Sequence, residues 1–469
     1  MRLISRYILC ILAFSLVTQC EKDDPQVIIN DDNFLKALIE SGIDTDSDGK
    51  ISFAEAQEVI SLNLSGKNIS DMTGIEKFVN LDTLCCYNNQ LTTLDFSNNQ
   101  SLKYLDCRGC GLNTLNVSQC TDLKYLNCGI FLFESYASFN YLTGLDVSNN
   151  SALEYLNCDV NKLTSLDVSN NTALVDLSCG GNQLTTLDVS NNTALNNLDC
   201  VWNQLTSLDV SNNIALISLD CSCNQLTTLD VSNNTALNNL DCGGNKLTSF
   251  NVSNNSVLIH LDCGGNPLTS LDVSYNTSLE ILWCVDTQLT SIDVSNNLAL
   301  KKFVCFSNQL TSLDVSNNTA LEILWCERNQ LTSLDVSNNT ALEGLSCHRN
   351  QLTSLDVSNG IALVYLYCDQ NQLSSLNVSD NTALEWIICS DNYLTSLDLS
   401  NNTALTKLEC GGNPLTTLDI SKNIALELLG LQDMPTLHIV CVWETPFPPT
   451  GITVWASYSP NIYFTTDCN

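Results

Sequence analysis

Apolar and polar residues alternate along most of the chain in a phrase of 21 residues that recurs with few changes. In residues 153–173, LEYLNCDVNKLTSLDVSNNTA, two apolar runs, LEYLNC and LTSLDV, are separated by polar segments. Sixteen full copies begin at Leu81, Leu102, Leu123, Leu153 and then at every twenty-first residue to Leu405, and a partial copy begins at Leu426. Nine additional residues, 131–139, interrupt the period once.

The short alternating runs predict β-strands whose leucines share one face. A unit of 21 residues buries too little apolar surface to fold alone, so the copies must stack on their neighbours. The side chains of residues 153–173 that we expect in the core are Leu153, Leu156, Cys158, Leu163, Leu166 and Val168. We therefore predict a mainly β solenoid over residues 59–437, in which each coil supplies two short strands that pair in parallel with those of neighbouring coils.

A cysteine occupies the sixth position of every full copy. Each one follows a large apolar residue by two positions, a leucine in all copies except at Phe303 and Ile387, and therefore points with that residue into the core. These sixteen residues are Cys86, Cys107, Cys128, Cys158, Cys179, Cys200, Cys221, Cys242, Cys263, Cys284, Cys305, Cys326, Cys347, Cys368, Cys389 and Cys410. We expect reduced, buried thiols that pack as small hydrophobic groups. Zinc is not expected, because zinc ligands converge on one point and a column of side chains does not.

Two polar positions of the repeat have predicted structural roles. Asn161 and its equivalents should turn inward and hydrogen-bond backbone groups between coils, and Cys110 and Thr287 replace this asparagine in two copies. Asp167 and its equivalents form an outward row of like charges, which is unfavourable between neighbouring strands. We expect hydrogen bonds from the backbone of the following Ser-Asn-Asn segment to offset this repulsion.

The first eleven residues of each copy, such as LEYLNCDVNKL, resemble the LxxLxLxxNxL segment of leucine-rich repeats. The other ten, such as TSLDVSNNTA, are similar to the IRREKO class, whose second half carries its own LxxLDL. The resemblance covers about three quarters of the chain and extends to bacterial internalin-like repeats. It implies an elongated solenoid whose outward positions serve recognition or adhesion.

Residues 31–58 precede the repeats and predict a helical N-terminal cap. Phe34, Leu35, Leu38 and Ile39 fall at helical spacing. The loop that follows resembles the EF-hand, and also single dockerin-like loops, position by position. The implied calcium ligands are Asp44, Asp46, Asp48, the backbone carbonyl of Lys50, Ser52 and a bidentate Glu55. The resemblance implies one structural calcium ion, and the alternative is a solvated acidic turn.

The chain begins with a segment that predicts export. Arg2 and Arg6 precede an apolar run over residues 8–17, which is too short to cross a bilayer and indicates a signal peptide over residues 1–19. LVTQC resembles the lipobox of bacterial lipoproteins, and EKDD after it is similar to the export tag of Bacteroidetes surface lipoproteins. The resemblance implies acylation of Cys20, a linker over residues 20–30 and a location at the cell surface on the outer membrane. Gln19 departs from the small residue usual at its position, so secretion with another cleavage point is the alternative.

The period ends after Leu437, and residues 438–469 predict a β-rich C-terminal cap. Apolar residues at 439–443, 452–455 and 463–464 predict short strands that cover the core of the last coil. Cys441 and Cys468 lie outside the cysteine column. We expect a disulfide between them in an oxidising compartment.

Outward positions of the first strand change character along the chain. In the middle copies they are small or acidic, as at Asp199, Asp220, Asp241 and Asp262, which predicts solvated surface. From residue 279 onward they carry large apolar and basic side chains, a composition typical of binding surfaces. We call this predicted ligand-binding surface the aromatic face, and its members are Ile281, Trp283, Phe306, Ile323, Trp325, Arg328, His348, Arg349, Tyr365, Tyr367 and Trp386. The alternatives are tolerated variation or packing against a second copy, and the insertion at 131–139 is a second candidate for function.

Composition restricts the partners. With 51 acidic and 18 basic residues the formal net charge is −33, which disfavours nucleic acid and anionic membranes, so membrane attachment is expected only through a lipid on Cys20. An enzyme is not expected, because the three histidines, His260, His348 and His438, have no nucleophile motif near them. We hypothesise a monomer that binds a protein or glycan ligand in adhesion or recognition. The alternative is a structural spacer of the cell envelope.

Overall fold

The computed structural model describes residues 24–130 and 139–467, which form one solenoid. The predicted signal peptide, Cys20, residues 131–138 of the insertion and Cys468 lie outside the described residues. Of the insertion, Phe139 alone is described, and its side chain is exposed. Within the described ranges, no helix combines the length and the hydropathy needed to span a membrane.

Two α-helices, one 3-10 turn and 24 short strands form the regular structure of the described residues. Helix α1 spans Asp32–Glu40, helix α2 spans Phe53–Glu58 and the 3-10 turn spans Ile75–Lys77. The strands are Ser61–Asn63, Thr83–Cys85, Thr93–Asp95, Tyr104–Asp106, Thr114–Asn116, Tyr125–Asn127, Tyr155–Asn157, Asp176–Ser178, Asn197–Asp199, Ser218–Asp220, Asn239–Asp241, His260–Asp262, Ile281–Trp283, Lys302–Val304, Ile323–Trp325, Gly344–Ser346, Tyr365–Tyr367, Trp386–Ile388, Lys407–Glu409, Thr417–Asp419, Leu428–Gly430, Ile439–Cys441, Thr453–Trp455 and Tyr463–Thr465.

Nineteen of these strands form one parallel sheet, the long sheet, with one strand from each successive coil. The pairing is in register at the repeat period, so that Leu156 lies opposite Leu177 and Leu177 opposite Leu198. Eighteen spacings of about 4.8 Å give the sheet a length of about 86 Å. The prediction of a mainly β solenoid with stacked parallel strands is confirmed.

The core is a continuous column of leucine, valine and cysteine side chains. All six core residues predicted for residues 153–173 are buried, and all sixteen column cysteines are buried free thiols. Burial raises the pKa of these thiols, for example to about 12 for Cys284 and Cys410. The cysteines therefore act as apolar core residues, as predicted.

The prediction of two strands per coil is wrong for the middle of the solenoid. A second strand forms only near the ends, where Thr93–Asp95 pairs with Thr114–Asn116 and Thr417–Asp419 begins a three-stranded sheet. Between them the described residues contain one isolated bridge, Asp356 to Asn377. In the middle coils these segments are joined by isolated backbone bonds, such as that from the Gln183 N–H to the Leu163 carbonyl at 2.8 Å.

Two side-chain hydrogen bonds recur in this segment, in coils with and without a second strand. The Leu163 N–H donates to Asn182 Oδ1 at 3.0 Å, and the Ser169 N–H donates to Asp167 Oδ1 at 2.9 Å. The second bond and its equivalents are the local compensation predicted for the outward aspartate row. The hydrogen bonds of Ser169 hold the pKa of Asp167 below its usual value.

Two asparagine ladders join the coils. The predicted ladder is confirmed: Asn182 Nδ2 donates to the carbonyl of Cys158 at 3.0 Å and to that of Cys179 at 3.1 Å. The sequence analysis missed a second ladder, at the asparagine before Thr-Ala. In that ladder Asn171 is fully buried, and its Nδ2 donates to the Val147 carbonyl at 2.9 Å and the Asn150 carbonyl at 2.8 Å in the preceding coil. The recurrence of this asparagine every 21 residues is the signal that identifies it.

The helical cap packs on the first coil. The four residues predicted at helical spacing all lie in α1, where Phe34 and Leu38 are buried and Ile39 is 37% exposed. Asp31 caps α1 through the Phe34 N–H, and its other oxygen accepts from the Ser70 N–H at 2.8 Å. This carboxylate therefore ties the cap to the solenoid.

The strands predicted after Leu437 are present, and they continue both sheets. Thr453–Trp455 pairs with Leu428–Gly430 of the long sheet, while Ile439–Cys441 pairs with Tyr463–Thr465. Cys441 is disulfide-bonded, and the partner that we predicted for it, Cys468, lies outside the described residues. The C-terminal end therefore closes the core by extending the stack.

Candidate ligand-binding face and calcium loop

The strand members of the aromatic face lie on neighbouring strands of the long sheet. One row of outward positions contains Trp283, Val304, Trp325, Ser346, Tyr367 and Ile388. A second row, two residues earlier on each strand, contains Ile281, Lys302, Ile323, Gly344, Tyr365 and Trp386. Trp283 and Trp386 are five strand spacings apart, about 24 Å. The structure brings these side chains together as one surface.

The large aromatic side chains of this surface are partly exposed. Trp283 and Trp325 are 38% and 41% exposed, whereas Val304 between them in the row is 6% exposed. Tyr365 and Trp386 contact each other edge to face with ring centroids 5.2 Å apart. These side chains are therefore held by their neighbours and still present area to solvent.

A recess interrupts the surface at the strand Gly344–Ser346. Both outward residues of this strand are small and buried, whereas the flanking strands carry Trp325 and Tyr365. A Cβ atom on Gly344 would lie 2.9 Å from Ile323 Cδ1. The Gly344 recess, defined by Gly344 and Ser346, lies between flanking strands about 10 Å apart.

The other members of the aromatic face lie at the turn that follows each strand. Phe306 and His348 are half-buried there, and Arg328 and Arg349 are exposed with φ of +52° each. His348 Nδ1 is 3.1 Å from Ser346 Oγ, and burial, with the nearby arginines, lowers the pKa of His348. The charged members therefore border the aromatic rows along one edge.

The middle coils carry an acidic row that the sequence analysis described wrongly as solvated. Asp199, Asp220, Asp241 and Asp262 lie opposite one another on consecutive strands and are half-buried. Burial, reinforced by neighbouring carboxylates, raises the pKa of Asp199 to about 6 and that of Asp241 to about 7. The partial burial of these aspartates could not be predicted from composition, because it comes from side chains on adjacent coils.

The predicted calcium loop connects α1 to α2. Carboxylate oxygens of Asp44, Asp46 and Asp48 lie within 4.8 Å of one another, and within the described ranges this is the one such group of potential metal ligands. Gly49 has φ of +79°, as the sharp turn of the loop requires. The three aspartates therefore fit a hard cation that prefers oxygen ligands.

Glu55 closes the same loop from the start of α2. Its Oε1 accepts from the Thr45 N–H at 2.6 Å, and its Oε2 accepts from the Ser52 N–H at 2.8 Å. Burial raises the pKa of Glu55, but these hydrogen bonds outweigh it and lower the pKa to about 2. The side chain is ionised and held against the loop, whereas the side chain of Ser52 caps α2.

Comparisons with solved structures identify the fold family, whereas neither a protein-family model nor a curated protein matches the chain. The functional domain of InlJ from Listeria monocytogenes, which includes a cysteine ladder, is 37% identical, with 83% of this chain and 80% of that chain covered and a TM-score of 0.69. The chain belongs to the leucine-rich repeat proteins. YopM from Yersinia enterocolitica shares the fold at 24% identity, with 87% and 92% covered and a TM-score of 0.67.

Plant receptors share the same leucine-rich repeat fold. One is the ectodomain of a membrane receptor kinase from Arabidopsis thaliana, in complex with Casparian strip integrity factor 2. It is 19% identical, with 87% of this chain and 58% of that chain covered and a TM-score of 0.63. Leucine-rich repeat proteins of this kind mediate protein interactions and recognition.

Two aromatic features of this leucine-rich repeat chain lie outside the predicted face. Tyr104, Tyr125 and Tyr155 stack on successive strands with ring centroids 4.2 and 4.3 Å apart. Trp202 is 63% exposed at a turn with φ of +56°. The tyrosines occupy the third position of their copies, which is the sequence signal that would have found them.

Proposed function

We propose that this leucine-rich repeat protein is a non-enzymatic recognition or adhesion protein that binds a protein ligand through the aromatic face. The observation that carries the proposal is the run of partly exposed Trp283, Trp325, Tyr365 and Trp386 on neighbouring strands. Large aromatic side chains at the centre of an interface contribute most of its binding free energy. A structural spacer has no need of such a surface.

The Gly344 recess gives the interface its anchoring point. Gly344 and Ser346 are small and lie between strands that carry Trp325 and Tyr365, and a shift of the Ile323 side chain, which lies over Gly344, would admit one apolar side chain of the ligand. Hot-spot side chains bind in desolvated pockets surrounded by contacts that exclude water. We expect a bulky side chain at position 344 to occupy this space and to block the ligand.

The test compares ligand capture by matched variants of the exported chain. The wild-type protein is screened by cross-linking to proteins of its surroundings and, in parallel, on a glycan array. Trp325→Ala and Gly344→Phe should abolish capture of the same protein, because each removes or fills part of the interface. Trp202→Ala removes a more exposed indole outside the aromatic face and should bind as the wild type does.

Each outcome of that screen decides the proposal. A captured protein that is lost with both aromatic-face variants and kept with Trp202→Ala supports it. If only glycans bind, and binding is lost in both aromatic-face variants but retained in Trp202→Ala, the aromatic face is the binding surface and its ligand is a sugar rather than a protein. Ligands insensitive to both variants, or no ligand at all, leave the envelope spacer as the better description.

We also propose that the chain is held at the cell surface by a lipid on Cys20. The support is the lipobox-like LVTQC and the following EKDD. A clickable fatty acid supplied to the producing cells should label the wild type and not Cys20→Ala, which should be released. Release of an unlabelled wild-type protein would favour secretion instead.

A further proposal is that the loop from Asp44 to Glu55 binds one calcium ion. The support is the convergence of Asp44, Asp46 and Asp48, with the ionised Glu55 and the Lys50 carbonyl available as further ligands. Bound calcium would fix the turn between the helices and so stabilise the cap. Loops of extracellular modules typically bind calcium at about 10⁻⁴ to 10⁻³ M.

Titration calorimetry with calcium chloride tests this site on the full chain. Glu55→Gln should weaken the binding, since it removes a charged bidentate ligand. Glu58→Gln removes an equal charge from the exposed end of α2 and should leave binding unchanged. The proposal fails if the wild type shows no binding at millimolar calcium, or if both variants behave alike.

A further inference from the structure

Cys110 departs from the repeat at the asparagine-ladder position. In other coils the ladder amide donates to a cysteine carbonyl of the preceding coil, as Asn182 does to Cys158. Here the Cys110 thiol takes that place, with Sγ 3.1 Å from the Cys86 carbonyl. The two side chains also lie close enough for each to shift the pKa of the other. Two buried free cysteines of neighbouring coils are therefore in contact through the Cys110 thiol.

The remaining column thiols have a different environment. Cys158 Sγ donates to the Ser178 carbonyl at 3.5 Å, and Cys242 Sγ donates to the Asp262 carbonyl at 3.4 Å. Within the described part of the chain, the cysteines around Cys86 do not form a group of three ligands of the kind that holds a metal. A zinc site needs more converging ligands than this pair supplies, which leaves sulfur redox chemistry.

We propose that Cys86 and Cys110 are an oxidisable pair that forms a disulfide between the first two full coils of the solenoid. The approach of Cys110 Sγ to within 3.1 Å of the Cys86 carbonyl supplies the proximity that a disulfide requires. Both residues are buried, so oxidation takes place before these coils close or when they open locally.

The oxidant that we name is a low-molecular-weight disulfide, RSSR. The Cys110 thiolate attacks one sulfur of RSSR, which forms a mixed disulfide and releases RS⁻. The Cys86 thiolate then attacks the Cys110 sulfur and releases the second RS⁻. The two protons lost by the cysteines convert the released thiolates to two RSH. The protein pair is oxidised by two electrons and RSSR is reduced by two.

The mutual effect of the two side chains assigns their roles. The Cys86 side chain lowers the pKa of Cys110 against the opposing effect of burial, whereas the Cys110 side chain and burial raise the pKa of Cys86. Cys110 is therefore the more readily formed thiolate and the first nucleophile.

The disulfide would fasten the N-terminal end of the stack. Coils at the ends of a repeat array have fewer neighbours and open more easily than those inside. Cys86 and Cys110 belong to the first and second full copies, and the disulfide-bonded Cys441 lies near the opposite end. Covalent closure at both ends would protect a core made mainly of noncovalent contacts between coils.

Mass spectrometry on the full chain tests the pair directly. The protein is equilibrated in glutathione redox buffers, quenched with acid, denatured, alkylated and digested with trypsin. Cleavage after Lys103 and Arg108 gives peptides 78–103 and 109–124 and separates Cys107 from both. Under oxidising conditions we expect 78–103 linked to 109–124, with Cys107 and Cys128 still alkylated.

Variants assign the linkage to its two sulfurs. Cys110→Asn restores the ladder amide and should abolish the link. Cys85→Ser and Cys120→Asn change the other cysteines of the same two peptides and should retain it. Hydrogen exchange in the strands Thr83–Cys85 and Tyr104–Asp106 should slow on oxidation of the wild type and not respond in Cys110→Asn.

The proposal is overturned if Cys86 and Cys110 stay alkylated in the wild type while Cys441 is oxidised. It is also overturned if the link persists in Cys110→Asn, or if Cys85→Ser or Cys120→Asn removes it. Should Cys110→Asn fail to fold, the wild-type peptides and the other two variants still decide the result.

Discussion

Leu324 and Trp325 are consecutive in the chain and lie on opposite faces of the long sheet. Leu324 is fully buried in the core, and Trp325 is 41% exposed in the aromatic face. The alternation of a β-strand produces this difference, since successive side chains point to opposite sides. The pair therefore separates the contribution of the core from that of the surface within a single strand.

Alanine substitutions at these two positions should have different effects on stability. Leu324→Ala leaves a cavity between coils and should reduce the free energy of unfolding by about 2 to 5 kcal/mol. Trp325→Ala removes no core contact and should change it by about 0.5 kcal/mol. Urea denaturation followed by circular dichroism measures both. Equal destabilisation would mean that Trp325 belongs to the core and that the aromatic face is no binding surface.

Thiol labelling of the native protein should divide the cysteines into classes. The fifteen column thiols other than Cys86 are buried, and burial raises their pKa, so Ellman's reagent should leave them unmodified. Cys223 is exposed and Cys85 is half-buried, so the first should react quickly and the second slowly. Denaturant should make all free thiols reactive. Rapid labelling of most column thiols without denaturant would contradict the parallel, in-register core.

Stability should fall as the pH rises through the range in which the acidic row ionises. Asp199 and Asp241 have folded-state pKa values of about 6 and 7, above their usual value of 3.8. The folded chain therefore binds more protons than the unfolded chain from about pH 4 to 7. The contribution of these groups is present in full at low pH and is lost as the pH rises through 6 to 7.

Asp241→Asn tests this, because the amide cannot acquire the unfavourable charge. Its melting temperature should exceed that of the wild type more at pH 8 than at pH 5. Asp188→Asn is the control of equal charge, since hydrogen bonds from Ser190 lower the pKa of Asp188 and place its titration below this window. A pH-independent effect of Asp241→Asn would show that repulsion within the row is unimportant.

Each asparagine of the predicted ladder should contribute more to the free energy of unfolding than the exposed asparagines nearby. Asn182→Ala leaves the buried Leu163 N–H without its acceptor, and one unsatisfied buried group costs about 1 to 3 kcal/mol. The Cys158 and Cys179 carbonyls lose one of their two donors and keep the bonds from Asn161 and Asn203. Asn191 donates to the Ser169 carbonyl at the surface, so Asn191→Ala should change stability by no more than about 0.5 kcal/mol. Chemical denaturation of both variants makes the comparison. Equal destabilisation by Asn182→Ala and Asn191→Ala would mean that a buried ladder asparagine stabilises the protein no more than an exposed turn asparagine does.

The core was predictable because two periods specify it. Alternation within a strand sends Leu156 and Cys158 inward, and the 21-residue period places each of them opposite its equivalent in the next coil. These rules need only the identity of neighbouring residues in the chain. The placement of Trp283 and Trp325 in the outward rows follows from the same rules.

Features that depend on contacts between coils were harder to predict. The burial of Asp241, the recess at Gly344 and the contact of Cys110 with Cys86 each require the side chains of adjacent coils to be known. A pattern read along one copy does not contain this information.

The asparagine ladders connect each coil only to the coils beside it, as Asn171 connects to Val147 and Asn150. A chain tethered at one end and pulled at the other, as between a cell and the surface to which it adheres, would then yield one coil at a time rather than all together. Each event would release 21 residues, or about 70 Å of extended chain. Such a molecule lengthens in steps under force and keeps the remaining coils, with whatever ligand they hold, intact.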